Sequence, residues 1–86
     1  MRTRTALVYK DEHGIARVTI LPDVDETLAD AQENERALTT VRGNSHLPML
    51  VDMRSMKSQT RESRQHYGSP AATRGITAVA LLVESR

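Results

Sequence analysis

Ile76-Thr77-Ala78-Val79-Ala80-Leu81-Leu82-Val83 is the stretch on which the fold turns. Only Thr77 is polar, so both alternating rows of a strand built from these residues are greasy. A strand apolar on both rows belongs in a parallel sheet covered on both faces. It is too short to cross a membrane, which takes roughly 20 residues of helix. Parallel strands need crossover connections, and the residues upstream are suited to supply them.

Immediately before it, Ser69-Pro70-Ala71-Ala72-Thr73-Arg74-Gly75 reads as one helical turn, with Ser69 as cap, Pro70 in the first position and Gly75 past the end. Residues 60–67 suit a second, weakly amphipathic helix that turns Ser63 and Tyr67 inward and stops at Gly68. Residues 54–59 read as polar loop. Met49-Leu50-Val51-Asp52-Met53 is a short apolar run between turns, a buried strand. Residues 27–42 form the clearest helix. Thr27 caps it, with Asp30 as reciprocal partner. Leu28, Ala31, Leu38 and Val41 fall on one face, and Asp30, Glu33, Asn34 and Arg36 are expected on the wet side. Gly43-Asn44 closes it. Residues 23–26 read as an acidic loop. Before Pro22, residues 5–10 and 15–21 make an antiparallel hairpin about Asp11-Glu12-His13-Gly14.

The order is β-β-α-β-α-β: an α/β domain with a mixed sheet of about four strands, the N-terminal hairpin followed by parallel strands, and two main helices. Leu28, Ala31, Leu38, Val51, Val79 and Leu81 are the expected core. Two helices on one face leave the second row of residues 76–83 without cover. The expectation is a single domain over 1–86 that draws its missing cover from a second copy, an exchanged element or further C-terminal residues. A homo-oligomer is the simplest such arrangement.

Composition bounds the chemistry. The 86 residues carry no Cys, Trp or Phe, and Tyr9 and Tyr67 are the only aromatic residues. That excludes disulfides and cysteine-based metal or redox sites. Net charge is +1, which provides no steering toward nucleic acid or an anionic membrane. Residues 1–41 carry net −3 and residues 42–86 net +4, an acidic half and a basic half. A signal peptide's apolar region of about 7–15 residues is missing from the start, so a cytoplasmic protein is expected. His13, His46 and His66 lack metal-binding spacing, and the isolated glycines make no phosphate loop. No metal or cofactor is expected.

The residues with some chemical promise cluster after the Met49–Met53 run. Asp52 ends that strand, where open α/β sheets place ligands. Its plainer role is to accept backbone donors in the turn. Arg54, Lys57, Arg61 and Arg64 are the densest basic cluster, at the start of the second helix, where an anionic metabolite or nucleotide would be welcome. Glu62 among them argues for ordinary surface pairing instead. Ser55, Ser58 and Thr60 are the hydroxyls of the turn. A phosphate on Ser58 or Thr60 would meet arginines at a helix N-terminus.

Taken together, Gly14-Ile15-Ala16-Arg17-Val18-Thr19-Ile20-Leu21-Pro22, Thr27-Leu28-Ala29-Asp30-Ala31, Leu47-Pro48-Met49-Leu50-Val51-Asp52-Met53-Arg54 and the run from Ile76 to Val83 resemble bacterial STAS-like proteins, fold relatives of anti-anti-sigma factors. The resemblance spans about residues 5–84. It implies a non-enzymatic regulatory module that acts through protein contacts, with an anti-sigma-type kinase as one kind of partner. Members regulated by phosphorylation carry an Asp-Ser-Ser/Thr-Gly motif at the second helix. Here Ser58-Gln59-Thr60-Arg61-Glu62-Ser63 stands in its place, without the Asp-Ser pair or the glycine. The alternative expectation is a small domain binding an anionic metabolite at the basic helix entrance.

Overall fold

The computed structural model describes residues 1–84. It contains six strands and three helices in chain order: β1 (Ala6–Lys10), β2 (Ala16–Ile20), β3 (Asp25–Glu26), α1 (Leu28–Arg42), β4 (Leu47–Asp52), β5 (Ser58–Gln59), α2 (Arg61–Tyr67), α3 (Pro70–Thr73) and β6 (Ile76–Leu82). Four strands form the main sheet in the order β1-β2-β4-β6. The β1–β2 pair is antiparallel, and β2–β4 and β4–β6 are parallel. This is the mixed α/β sheet expected from the sequence.

The hairpin forms because Asp11 organises its own turn. Its carboxylate accepts from the backbone N–H groups of His13 at 2.8 Å and Ile15 at 2.9 Å, and from Arg17 Nε at 2.7 Å. Gly14 takes φ +78°, a conformation that costs glycine nothing. The Arg17 bond, then the Ile15 bond, hold the Asp11 carboxyl at about 2. Helix α1 starts at the expected capping box. Thr27 N–H donates to Asp30 at 2.9 Å, and the Thr27 hydroxyl accepts from Asp30 N–H. The β4–β6 register slips between Leu47 and Met49, around Pro48, which has no N–H to give a ladder.

Helices α1 and α2 pack on one face. The core there is Ala6, Val8, Ala16, Val18, Ile20, Met49, Val51 and Met53 from the strands, under Ala31, Ala37, Leu38 and Tyr67 from the helices. The other face is open. Leu7, Thr19, Asp52 and Leu82 make one row across it, and Tyr9, Arg17, Leu50 and Ala80 the next. None of these eight side chains is buried.

Three expected core residues are not in the core. Leu28 is 37% exposed, Val79 41% and Leu81 46%. Leu28 misses because the buried stripe of α1 runs through Asp30, Ala31, Asn34, Ala37 and Leu38, well round the helix from it. Asp30 and Asn34, expected on the wet side, are therefore buried. Val79 and Leu81 do point to the helix side, in register with Met49 and Val51. They stay open because β6 is an edge strand and the helices nearest it, α2 and α3, have only seven and four residues. The last strand is thus exposed over Thr77–Leu81 instead of buried on both faces.

Candidate interaction site

Helix α2 lies beside the C-terminal ends of β4 and β6, and three features fix it there. Thr60, still extended at ψ 157°, caps it by accepting Ser63 N–H at 3.1 Å. Strand β5 just before it pairs in parallel with β3, Asp25 against Ser58 and Glu26 against Gln59. Residues 23–26 and 54–59, read above as loops, thus each contribute a two-residue strand. The third feature is a buried polar knot.

Glu26 is the centre of that knot and is 1% exposed. Its carboxylate accepts from the Ser63 hydroxyl at 2.6 Å, from Gln59 Nε2 at 3.3 Å, and from Thr5 and Asn34 at 3.4 Å each. Asn34 Nδ2 also reaches Thr5 Oγ1 at 3.1 Å and Tyr67 Oη at 3.0 Å, while its Oδ1 accepts from the Thr3 hydroxyl. Thr5, Asn34 and Ser63 are fully buried. Burial, and then the nearby Glu26 carboxylate, push the Tyr67 hydroxyl well above its ordinary pKa. The knot ties the segment leading into β1 to β3, β5, α1 and α2. Buried polar groups are tolerated only when bonded in this way. Sequence reading missed it, since Glu26 and Asn34 look like surface residues. The one available signal was Ser63 and Tyr67, whose inward orientation was expected and is observed.

A second polar contact joins the helices lower down. His66 Nε2 stands 3.0 Å from Glu35 Oε1. Neither atom is aligned for a hydrogen bond or has another polar partner, and both are closed to solvent. His66 is therefore an inter-helix residue.

Between α2 and β6 a groove opens. Met53, Met56, Leu81 and Val83 make its apolar floor and wall, and Arg54, Gln59, Arg64 and Glu84 its rim. Its volume is about 360 Å³. The four cations singled out in the sequence divide here. Arg54 and Arg64 line the groove, while Lys57 and Arg61 are exposed outside its lining. Arg54 is already engaged. Its Nε and Nη2 grip Asp52 at 3.0 and 2.8 Å, and Asp52 also accepts Arg54 N–H at 3.2 Å. That guanidinium lowers the Asp52 carboxyl below its ordinary range. Asp52 thus serves the strand-to-turn junction. Among the described residues the Arg64 side chain makes one long bond, 3.4 Å to Gln59. Ser58 is exposed and its hydroxyl donates to Asp25; Thr60 is exposed at the cap. Ser55 is exposed and its carbonyl accepts Asp23 N–H. Among the described residues no three His, Asp or Glu side chains converge as metal ligands, and no helix is long and apolar enough to cross a membrane.

A family model described as "Domain of unknown function (DUF7793)" matches residues 9–86. The chain belongs to this family. The match takes in every element from the end of β1 onward, including the knot, α2 and the groove. No curated protein and no solved structure matches the chain.

Proposed function

We propose that this DUF7793 chain is a STAS-like regulatory module without catalysis of its own, and that it binds a protein partner in the groove between α2 and β6. The observation that carries the reading is the groove's make-up. Met53 and Met56 line its inner side, and the exposed side chains of Leu81 and Val83 stand beside an arginine with little other engagement among the described residues. Methionine adapts to varied apolar shapes, so Met53 and Met56 suit a docking surface. Arg64 adds a cation for a partner's carboxylate. The expected partner is a bacterial, cytoplasmic protein presenting an apolar segment flanked by acidic residues. An anti-sigma-type kinase is one protein of that kind, as the STAS-like resemblance implies. Ser58 and Thr60 stand exposed at the edge of this surface, where an added phosphate would change its charge.

The test is affinity capture from native cells, run in parallel with wild type, Arg64→Glu and the remote Gln32→Glu. Support is a partner held by wild type and Gln32→Glu but lost by Arg64→Glu. A set of bound proteins indifferent to Arg64→Glu would overturn the groove as the site.

A further inference from the structure

The two edges of the main sheet differ. The β1 edge is occupied by the chain's own first residues: the Met1 ammonium donates to Val8 O at 2.7 Å, Val8 N–H returns to Met1 O at 2.8 Å, and Arg2 bridges to Leu7. Among the described residues the β6 edge has no such cover. It has no proline and no charged side chain from Ile76 to Val83 to blunt it, and its register shift is confined to the stretch between Ile76 and Val79.

The strand's backbone phase is readable. Beyond the register shift, Leu82 O accepts Met53 N–H, so Ala80 and Leu82 turn their backbone groups toward β4; before it the phase is opposite, with Gly75 O accepting Leu47 N–H. The odd-numbered residues Val79 and Leu81 turn theirs outward. The first charges beyond the strand are Arg74 on one side and Glu84 on the other. They lie five positions before and five after Val79, the middle residue of β6. Both are exposed, and neither has an ion-pair partner among the described residues.

We propose that β6 pairs antiparallel with β6 of a second copy of this chain, on a two-fold axis through Val79, with Arg74 of each copy opposite Glu84 of the other. Three independent features agree on this register. It gives the longest overlap of the two strands. It sets outward-facing Val79 against its own symmetry mate as a hydrogen-bonded pair. It also brings together the charges that flank the strand, twice over. An isologous contact of this kind closes on itself and stops at two copies. The axis stands perpendicular to the sheet, so the helix layers of both copies lie on the same side. Val79 and Leu81 then acquire neighbours on the side where α2 and α3 leave them bare. The pairing does not involve Arg64, Met53 or Met56, so it is independent of the partner groove.

Charge reversal tests the register. Sedimentation of the full chain should show a dimer dissociating at micromolar concentration. Arg74→Glu and Glu84→Arg, each alone, should raise its dissociation constant about tenfold at low salt, and the double reversal should restore it. The two residues are exposed, and unchanged far-ultraviolet circular dichroism spectra will confirm that the variants fold. Because the chain has no cysteine, Val79→Cys provides a second readout. It should oxidise to a covalent dimer, while Leu7→Cys on the open face should not. A wild-type chain that stays monomeric at about 100 µM, a double reversal no tighter than the singles, or equal cross-linking at Leu7 and Val79 would each overturn the pairing.

Discussion

The β1–β2 half of the sheet and the β6 half use similar amino acids to opposite ends. In β1 and β2, alternate residues are fully buried under α1: Ala6, Val8, Ala16, Val18 and Ile20 are each 2% exposed or less. In β6, the residues that point the same way, Val79 and Leu81, are more than two-fifths exposed. Hydropathy does not separate the two halves. Helix length does: α1 has 15 residues and spans its strands, whereas α2 and α3 are short and leave β6 at the margin. Apolar sequence therefore identifies a strand that wants cover. Whether the cover is present is decided by the elements that pack on it.

The sharpest way to break that comparison is to truncate one residue on each side. Leu38 is 4% exposed beneath α1. Leu38→Ala should cost about 2–5 kcal/mol, the usual range for a buried leucine. Leu81→Ala, measured under dissociating conditions, should stay within about 0.5 kcal/mol, as surface changes do. Urea midpoints of the two variants check both figures. Comparable losses would mean that β6 is as well covered as β1.

The polar knot gives the next effect. Asn34 is the middle of the buried stripe of α1, and its amide serves Thr5, Glu26 and Tyr67 at once. Asn34→Ala leaves those groups short of a donor in a closed site. The expected loss is about 1–3 kcal/mol, read as a lower denaturant midpoint with an unchanged slope. Tyr67→Phe, which removes only one member, should cost less.

These residues also mark the limit of what the sequence discloses. The strand and helix order, the Thr27–Asp30 box, the Ser69-Pro70 start and the turn at Gly14 were all legible, because each rests on a local rule of period or capping. The advancing strand order, with both helices on one face, followed from chain connectivity. Strands β3 and β5 were not legible, since two residues show no period. Glu26 and Asn34 were not, because a buried polar side chain differs from an exposed one only in its partners, which lie up to 37 residues away. At the groove, two of the four cations of the basic cluster, Arg54 and Arg64, line one cavity. That Arg54 is spent on Asp52 depends on a turn geometry that spacing does not reveal.

Acid provides a smaller effect on the well-covered side. The Arg4 guanidinium, chiefly through its hydrogen bonds, holds the Asp30 carboxyl at about 2, below its ordinary 3.8, against the opposing pull of burial. A carboxyl depressed by folding binds fewer protons in the folded state. It therefore stabilises fully above 3.8, and that share fades as pH falls toward about 2. Asp11 behaves alike, with Arg17 as the main cause. Stability should drop between about pH 4 and pH 2, and Asp30→Asn should flatten part of that slope while lowering stability at neutral pH. An unaltered acid profile in Asp30→Asn would show that Arg4 does not act through this carboxyl.

A small effect on stability falls at the start of α2, where the proposed function predicts the largest effect on binding. Thr60 is exposed and contributes one capping bond, to Ser63 N–H. Replacing it with Glu removes a cap worth about 0.5–2 kcal/mol, and the new negative charge at the helix N-terminus offsets part of that. Ser63 itself remains bonded to Glu26, so the knot that seats α2 is untouched. The domain should keep its spectrum and lose under about 1 kcal/mol. An acidic partner approaching Arg64 would nevertheless meet a like charge one helical turn away. Thr60→Glu should weaken partner binding roughly tenfold, and Thr60→Ser, which keeps the cap, should not. Calorimetry with the captured partner separates the two variants. Equal affinities would show that the α2 entrance is not a switch, and would confine the partner's footprint to the β6 side of the groove.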